Sequence, residues 1–267
     1  MSFRITVKVG SNVLTRQDGT LDVTRMSAIV DQIATLHQQG LQIVLVSSGA
    51  VACGRSLMKA AANPRESLTE VQQRQLYSAV GQAKLINKYY ELFNDWGITC
   101  GQVLTTKESL QTEEQYQNQK NCMETMLEQG VIPIVNENDT ISITELMFTD
   151  NDELSGLMAR MMDAQLLVLL SNIDGIYTGN PAEPGSELIR VISSTTDVTQ
   201  YISSSKSSAG RGGMVSKHKT AREVAAAGIE VIIANGKRDD ILKDLIQVTP
   251  NGEVIVSPTV PCSIFKD

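Results

Sequence analysis

The chain has 267 residues, 42% of them apolar and 20% charged, with 23 Lys and Arg against 30 Asp and Glu for a net charge of −7. That is a globular composition, long enough to bury a full core without disulfide or metal staples. The acidic balance argues against a protein built to bind nucleic acid or an anionic membrane, although it leaves room for a local basic pocket.

The chain opens MSFRITVKVG, with no apolar stretch of signal-peptide length. Residues 3–9 alternate and are β-branched, as a strand requires. Residues 23–39 carry Met26, Ile29, Val30, Ile33 and Leu36 at helical spacing and close on Gly40, a C-terminal capping glycine. Residues 41–46 (LQIVLV) read as a second strand. A long helical stretch covers 69–96, with a break or bend expected at Ala79-Val80-Gly81. A strand at 98–104 precedes a helix at 112–129 capped by Thr112. The runs VIPIV (131–135) and LLVLL (166–170) are continuous apolar strands, and 140–149 is a short extended stretch. The small polar run 203–213 reads as a loop; a helix at 216–227 ended by Gly228 and a strand at 229–234 follow it. His37 and His218 are expected on helix surfaces.

Continuous apolar strands alternating with helices predict an α/β fold, a mainly parallel sheet covered on both faces. No window reaches the roughly 18 apolar residues of a membrane span. The four cysteines at 53, 100, 122 and 262 form no CxxC pair, which suits free thiols in a reducing compartment, so a cytoplasmic location is expected.

Open parallel sheets bind ligands beyond the carboxyl ends of their strands. Four predicted strands end there in Gly, hydroxyl, amide and acid clusters: Lys8-Val9-Gly10-Ser11-Asn12, Ser47-Ser48-Gly49-Ala50, Asn136-Glu137-Asn138-Asp139 and Ser171-Asn172-Ile173-Asp174-Gly175. Lys8 suits either an edge-strand lysine covering apolar surface or an ammonium held near a phosphate. Gly10 and Gly49 suit turns, and together they can turn several backbone N–H groups toward a phosphoryl group. Asp150-Asn151-Asp152 can cap a helix and also receive an amino group or a metal-bound phosphate. Gly212-Gly213-Met214-Val215-Ser216-Lys217 enters a helix whose N-terminus favours anions; Lys217 is either a solvated first-turn lysine or a second phosphate ligand. Neither GxxxxGK[ST] nor GxGxxG occurs, which disfavours a Walker-type ATPase and a dinucleotide oxidoreductase.

Taken in order, KVGSNVLT, VLVSSGAVACG, AVGQAKL, IVNENDTIS, TDNDELSGLMA, DGIYTGNP and GRGGMVSKHKTA resemble the glutamate 5-kinases of the amino acid kinase family over essentially the whole chain. The pairing of NEND with DND carries the branch. The resemblance implies a single domain over 1–267, a three-layer αβα sandwich with an amino-acid-binding lobe of about 1–150 and a nucleotide-binding lobe of about 151–267. It implies ATP-dependent phosphorylation of the γ-carboxylate of L-glutamate to glutamyl 5-phosphate, the first step toward proline.

By position, Lys8 and Lys217 resemble the lysines that contact the transferring phosphoryl group, and Asp152 the acid that organises them. Ser48, Gly49, Asp139 and Asn151, supported by Asp150, resemble the glutamate site. Gly10, Ser171, Asn172 and the segment Arg211, Gly212, Gly213, Met214, Val215, Ser216 and Lys217 resemble the nucleotide contacts. Mg²⁺ is expected to be held mainly by ATP phosphates and water rather than by a protein cage. Proline is expected as a feedback inhibitor and a homo-oligomer, dimer or tetramer, as the assembly. Asn172 stands where many relatives have Asp, Arg211 replaces a small residue, and a PUA module common in the family is not expected. Other readings are a kinase of the same family acting on N-acetylglutamate, UMP or another small phosphate, and a non-catalytic amino-acid sensor, which would not need Lys8, Lys217 and Asp152.

Overall fold

The computed structural model describes residues 2–60, 68–142, 148, 150–202, 213–257 and 260–266. Its centre is an eight-stranded sheet of order β3-β4-β2-β1-β5-β7-β10-β6, with β1 Arg4–Val9, β2 Gln42–Ser47, β3 Cys100–Thr105, β4 Ile132–Glu137, β5 Leu166–Ser171, β6 Val191–Ile192, β7 Glu230–Asn235 and β10 Cys262–Phe265. All neighbouring pairs are parallel except β7 with β10. A separate antiparallel hairpin joins β8 Ile246–Val248 to β9 Val254–Val256.

The strands are apolar on both faces because helices cover both. On one face Ile5, Val7 and Val9 of β1 share a core with Met26 and Ile33 of α2 (Val23–Gln38), Leu85 and Phe93 of α4 (Glu70–Asn94), and Leu242 of α8 (Ile241–Leu245). On the other, Val44 and Val46 pack with Met123 of α5 (Glu113–Glu128) and Leu154 of α6 (Asn151–Met161), and Leu167 and Leu169 with Ala221 and Val224 of α7 (Met214–Ala225). The period-two alternation of β1 therefore turns Thr6 and Lys8 toward the α6 layer. Lys8 is not an edge-strand lysine: β1 lies between β2 and β5.

Caps fall where their chemistry places them. Gly40 adopts φ +91° after α2, Thr112 accepts from the Gln115 N–H at the start of α5, and Asp150 accepts from the N–H groups of Asp152 and Glu153 at the start of α6. The stretch 140–149 opens as a turn, with Ile141 and Ser142 N–H groups donating to the Asn138 carbonyl, and most of it lies outside the described residues. The loop 203–213 also lies outside them except for Gly213.

The expected break in the long helix does not occur: α4 runs unbroken through Gly81. Gly81 serves close approach instead. A Cβ there would stand 1.8 Å from the Ala50 carbonyl oxygen of α3 (Ala50–Ala60), and one on Gly54 would stand 1.8 Å from the Tyr77 carbonyl oxygen. The two helices cross backbone against backbone at this glycine pair.

In an exposed helix interior Gly→Ala stabilises by about 1 kcal/mol. Here the sign inverts. Gly81→Ala should destabilise by about 1–3 kcal/mol or more, as overpacking does, and lower Tm by about 2–4 °C per kcal/mol, while the exposed control Ala83→Ser stays within about 0.5 kcal/mol of the parent. A Gly81→Ala protein with an unchanged or raised Tm would show that the helices do not touch as described.

Candidate active site

Because β1, β2, β4 and β5 are parallel neighbours, their carboxyl ends open on one side of the sheet. A cleft of about 1270 Å³ lies there. Lys8, Gly10, Ser48, Gly49, Asp139, Asp150, Asn151, Ser171, Asn172, Gly213, Met214 and Lys217 all line it, so residues from the whole length of the chain meet in one place. Val215 and Ser216 are not among the lining residues. The α7 turn that buries Lys217 leaves the Val215 side chain 52% exposed. Arg211 and Gly212 lie outside the described residues.

Asp152 sits beneath the cleft, fully buried at the second residue of α6. Its Oδ1 meets Lys8 Nζ at 2.6 Å as an ion pair, and its Oδ2 accepts a hydrogen bond from Lys217 Nζ at 2.9 Å. Strand β1 delivers one ammonium and helix α7 the other, and α6 places the carboxylate between them. Burial alone would push the Asp152 carboxyl up; the Lys8 and Lys217 charges overcome it and hold the group below the ordinary carboxylate range. Burial pushes the Lys8 ammonium down, Asp152 opposes that shift, and Lys217 adds to it. The two lysines thus share one carboxylate, and the buried Asp150 carboxyl beside them adds to the field that favours the Lys8 ammonium.

Backbone geometry shapes the same end of the cleft. The Gly10 N–H donates to the Leu170 carbonyl at 3.1 Å, and a Cβ on Gly10 would press on that same carbonyl oxygen at 3.1 Å, so the chain passes close to β5 here. Gly49, at φ +102°, makes the turn from β2 into α3. Gly213 caps α7 with no side-chain hydrogen bond, which leaves first-turn N–H groups facing the cleft end of that helix.

Next to the lysines lies a polar chain. Asn151 Nδ2 donates to the Ser47 carbonyl at 3.1 Å, to Ser48 Oγ at 3.0 Å and to Asn136 Oδ1 at 2.9 Å. Glu137 and Asp139 both pair with the Arg74 guanidinium, the Glu137 contact at 3.1 Å. Asp150 uses Oδ1 for its cap, and its Oδ2 is buried without a hydrogen-bond partner among the described residues.

Arg74, Arg55, Tyr77 and the run Tyr177–Pro181 also line the cleft. No motif marks the first three, which stand in helices α3 and α4. Residues 177–181 belong to the DGIYTGNP run, and a role for them was there to be read.

Asp152→Asn should strand two buried ammonium groups and cost about 3–5 kcal/mol. Adding Lys217→Met should recover part of that loss, a non-additivity readable by urea unfolding. The same substitution removes the charge that opposes the desolvation of Lys8. Lys8 should then lose its proton at lower pH, so the alkaline fall in activity should move to lower pH. Strictly additive stabilities and an unmoved alkaline limb would contradict this account of the triad.

A model of the amino acid kinase family matches residues 4–235. The chain is 67% identical over 244 residues to the glutamate 5-kinase of Bacteroides thetaiotaomicron, covering 91% of this chain and 67% of that protein. It is 44% identical over 243 residues to that of Chlorobaculum tepidum, covering 91% and 66%, and 41% identical over 244 residues to that of Symbiobacterium thermophilum, covering 91% and 92%. It thus spans about two thirds of the first two relatives and most of the third. The fold is shared with a UMP kinase from Ureaplasma parvum at TM-score 0.63 and 14% identity over the full length of both chains, and with an isopentenyl phosphate kinase at TM-score 0.64 and 18% identity over 98% of this chain and 100% of the other. The family model, the relatives and the three-layer sheet agree: this chain belongs to the amino acid kinase family, on its glutamate 5-kinase branch.

Proposed function

We propose that the chain transfers the γ-phosphoryl group of ATP to the γ-carboxylate of L-glutamate, giving glutamyl 5-phosphate and ADP for proline synthesis. The observation that carries this reading is the buried Asp152 that holds Lys8 and Lys217 together at one end of a cleft whose other end is rich in amino-acid-binding chemistry.

The γ-carboxylate is already a nucleophile, so no general base is needed. A carboxylate oxygen forms a bond to phosphorus, the bond from phosphorus to the β,γ-bridging oxygen breaks, and ADP leaves with that electron pair. The obstacle is bringing an anion to a polyanion, and the enzyme meets it with position and charge. Lys8 and Lys217 neutralise charge on the transferring group, Asp152 fixes where they stand, and Gly49 and the start of α7 supply N–H donors. Ser48, Asp139 and Asn151 take the amino-acid head, with Asp139 suited to the α-ammonium. Ser171, Asn172, Gly213 and Met214 take the nucleotide, together with Arg211 and Gly212 of the same segment.

Mg²⁺ is the metal this chemistry uses. Among the described residues no group of three or more His, Cys, Asp or Glu forms a cage. Asp150 Oδ2, buried and unpartnered on a cleft-lining residue, fits a single carboxylate contact to a cation held otherwise by phosphates and water. Bound with ATP, Mg²⁺ would neutralise phosphate charge and orient the chain of phosphates.

A lobe boundary near residue 150 would divide the sheet between β1 and β5, with β3, β4, β2 and β1 on the amino-acid side and β5, β7, β10 and β6 on the nucleotide side. No helix of the described residues is long and apolar enough to cross a membrane, and the four cysteines are free, which supports a cytoplasmic enzyme.

Coupled ADP release should show turnover of L-glutamate far above N-acetylglutamate, by about 10⁴-fold where buried polar groups lose a partner. Lys217→Ala should lower kcat by on the order of 10² or more. Equal use of both acids, or near-parent kcat in Lys217→Ala, would refute the assignment.

Proline shares the α-carboxylate and a cationic α-nitrogen with glutamate but lacks the phosphoryl acceptor, so it should inhibit by occupying the Asp139 and Asn151 region. Inhibition curves at several glutamate concentrations should shift to higher proline as glutamate rises. A curve that stays put across glutamate levels would place proline elsewhere.

A further inference from the structure

We propose that α4 is the positioning element of the amino-acid end of the cleft, acting through Ser78 and Gln82, which touch no substrate themselves. The proposal rests on the reading of Asp139 and Asn151 as glutamate ligands.

Arg74, Ser78 and Gln82 are spaced four residues apart, so they lie along one face of α4 with a rise of about 6 Å per step. Each meets the loop that follows β4. Arg74 pairs with Glu137 and Asp139, Ser78 Oγ donates to Asp139 Oδ2 at 3.4 Å, and Gln82 Oε1 accepts from Asn136 Nδ2 at 2.8 Å. Ser78 and Gln82 are 3% and 8% exposed, so these are not solvent contacts.

The Gln82 contact has a direction. The Glu137 backbone N–H can only donate, and it donates to Asn136 Oδ1 at 2.9 Å. That fixes Asn136 Nδ2 on the other side, toward Gln82, which must therefore present its oxygen. Asn136 Oδ1 is then also the acceptor for Asn151 Nδ2, and Asn151 in turn reaches Ser48 Oγ. The Glu137 N–H thus sets the direction of a chain of three amide and hydroxyl groups ending at Ser48, and Gln82 anchors its first member by accepting from Asn136 Nδ2. The same helix touches the other substrate loop, since Gly81 rests on the Ala50 carbonyl next to Gly49. One rigid element therefore holds both walls of the amino-acid pocket in register.

The test compares KM values for L-glutamate and ATP in four variants of the full chain. Gln82→Met, which keeps length and loses the acceptor, should raise KM for glutamate about tenfold, the equivalent of one hydrogen bond of about 1.4 kcal/mol, with KM for ATP within twofold of the parent. Asn136→Ala should raise it at least as much. The pair Gln82→Met with Asn136→Ala should be no worse than Asn136→Ala alone, because both act through one contact. Ser78→Ala, a small truncation that keeps the fold if Gln82→Met does not, should raise KM for glutamate about threefold with KM for ATP unchanged.

Multiplicative effects in the double variant, equal rises in both KM values, or an unchanged KM for glutamate in Gln82→Met and Ser78→Ala would overturn the proposal. Because the parent enzyme's use of glutamate is measured in the same series, failure of the positioning role is separable from failure of the kinase reading.

Discussion

Two buried ammonium groups on one buried carboxylate set the terms for the rest of this molecule. An isolated charge at that depth would neutralise itself or unfold the site. Asp152 is held below the ordinary carboxylate range because Lys8 and Lys217 each meet one of its oxygens, and Asp152 in turn opposes the downward push that burial puts on Lys8. The three residues are contributed by β1, α6 and α7, which are adjacent only because β1 is central in the sheet and both helices cover the same face. The topology and the charge cluster are therefore a single requirement. A β1 at the sheet edge would leave Lys8 in water, where its ammonium would carry far less weight against a phosphate.

The sheet alone does not make the amino-acid end of the cleft. That end is built from loops after β2 and β4, and loops hold a shape only when something rigid fixes them. Here α4 does so, with an acidic loop drawn onto Arg74 and a turn pressed against Gly81. Helix α4 thus has two different jobs along its length. Its far half buries Leu85, Tyr89 and Phe93 in the core, and its near half spends polar side chains on the site. The exchange of apolar for polar residues along one helix marks the line between core and cleft.

Much of this was legible in the sequence, and the reasons are specific. β1, β2, β4, β5 and β7 are runs of branched residues buried on both faces, a pattern few other structures produce. The strand-end clusters were legible because parallel strands send their carboxyl ends to one side, so Lys8, Ser48, Asp139 and Ser171 had to meet. What stayed hidden depended on distant partners. The antiparallel β10 is set by its pairing with β7, 28 residues or more earlier in the chain, and carries no local signature. Gly81 resembled a helix breaker because the carbonyl it accommodates belongs to α3. Arg74 looked like any helix-surface cation until Glu137 and Asp139 came to face it.

The same logic explains why a phosphoryl-transfer site can rely so heavily on lysines. Under the proposed reaction, ammonium groups balanced on a shared carboxylate would already be in place where charge develops on the transferring group. On that reading Lys8 and Lys217 would divide their field between phosphate oxygens and Asp152 without either leaving its strand or helix. Asp152 would then limit how strongly the pair holds an anion, because a gain on the phosphate side would weaken a contact of 2.6 or 2.9 Å on the carboxylate side. In the proposed reaction the carboxylate that lets two lysines be buried side by side would also keep their grip on the phosphoryl group reversible.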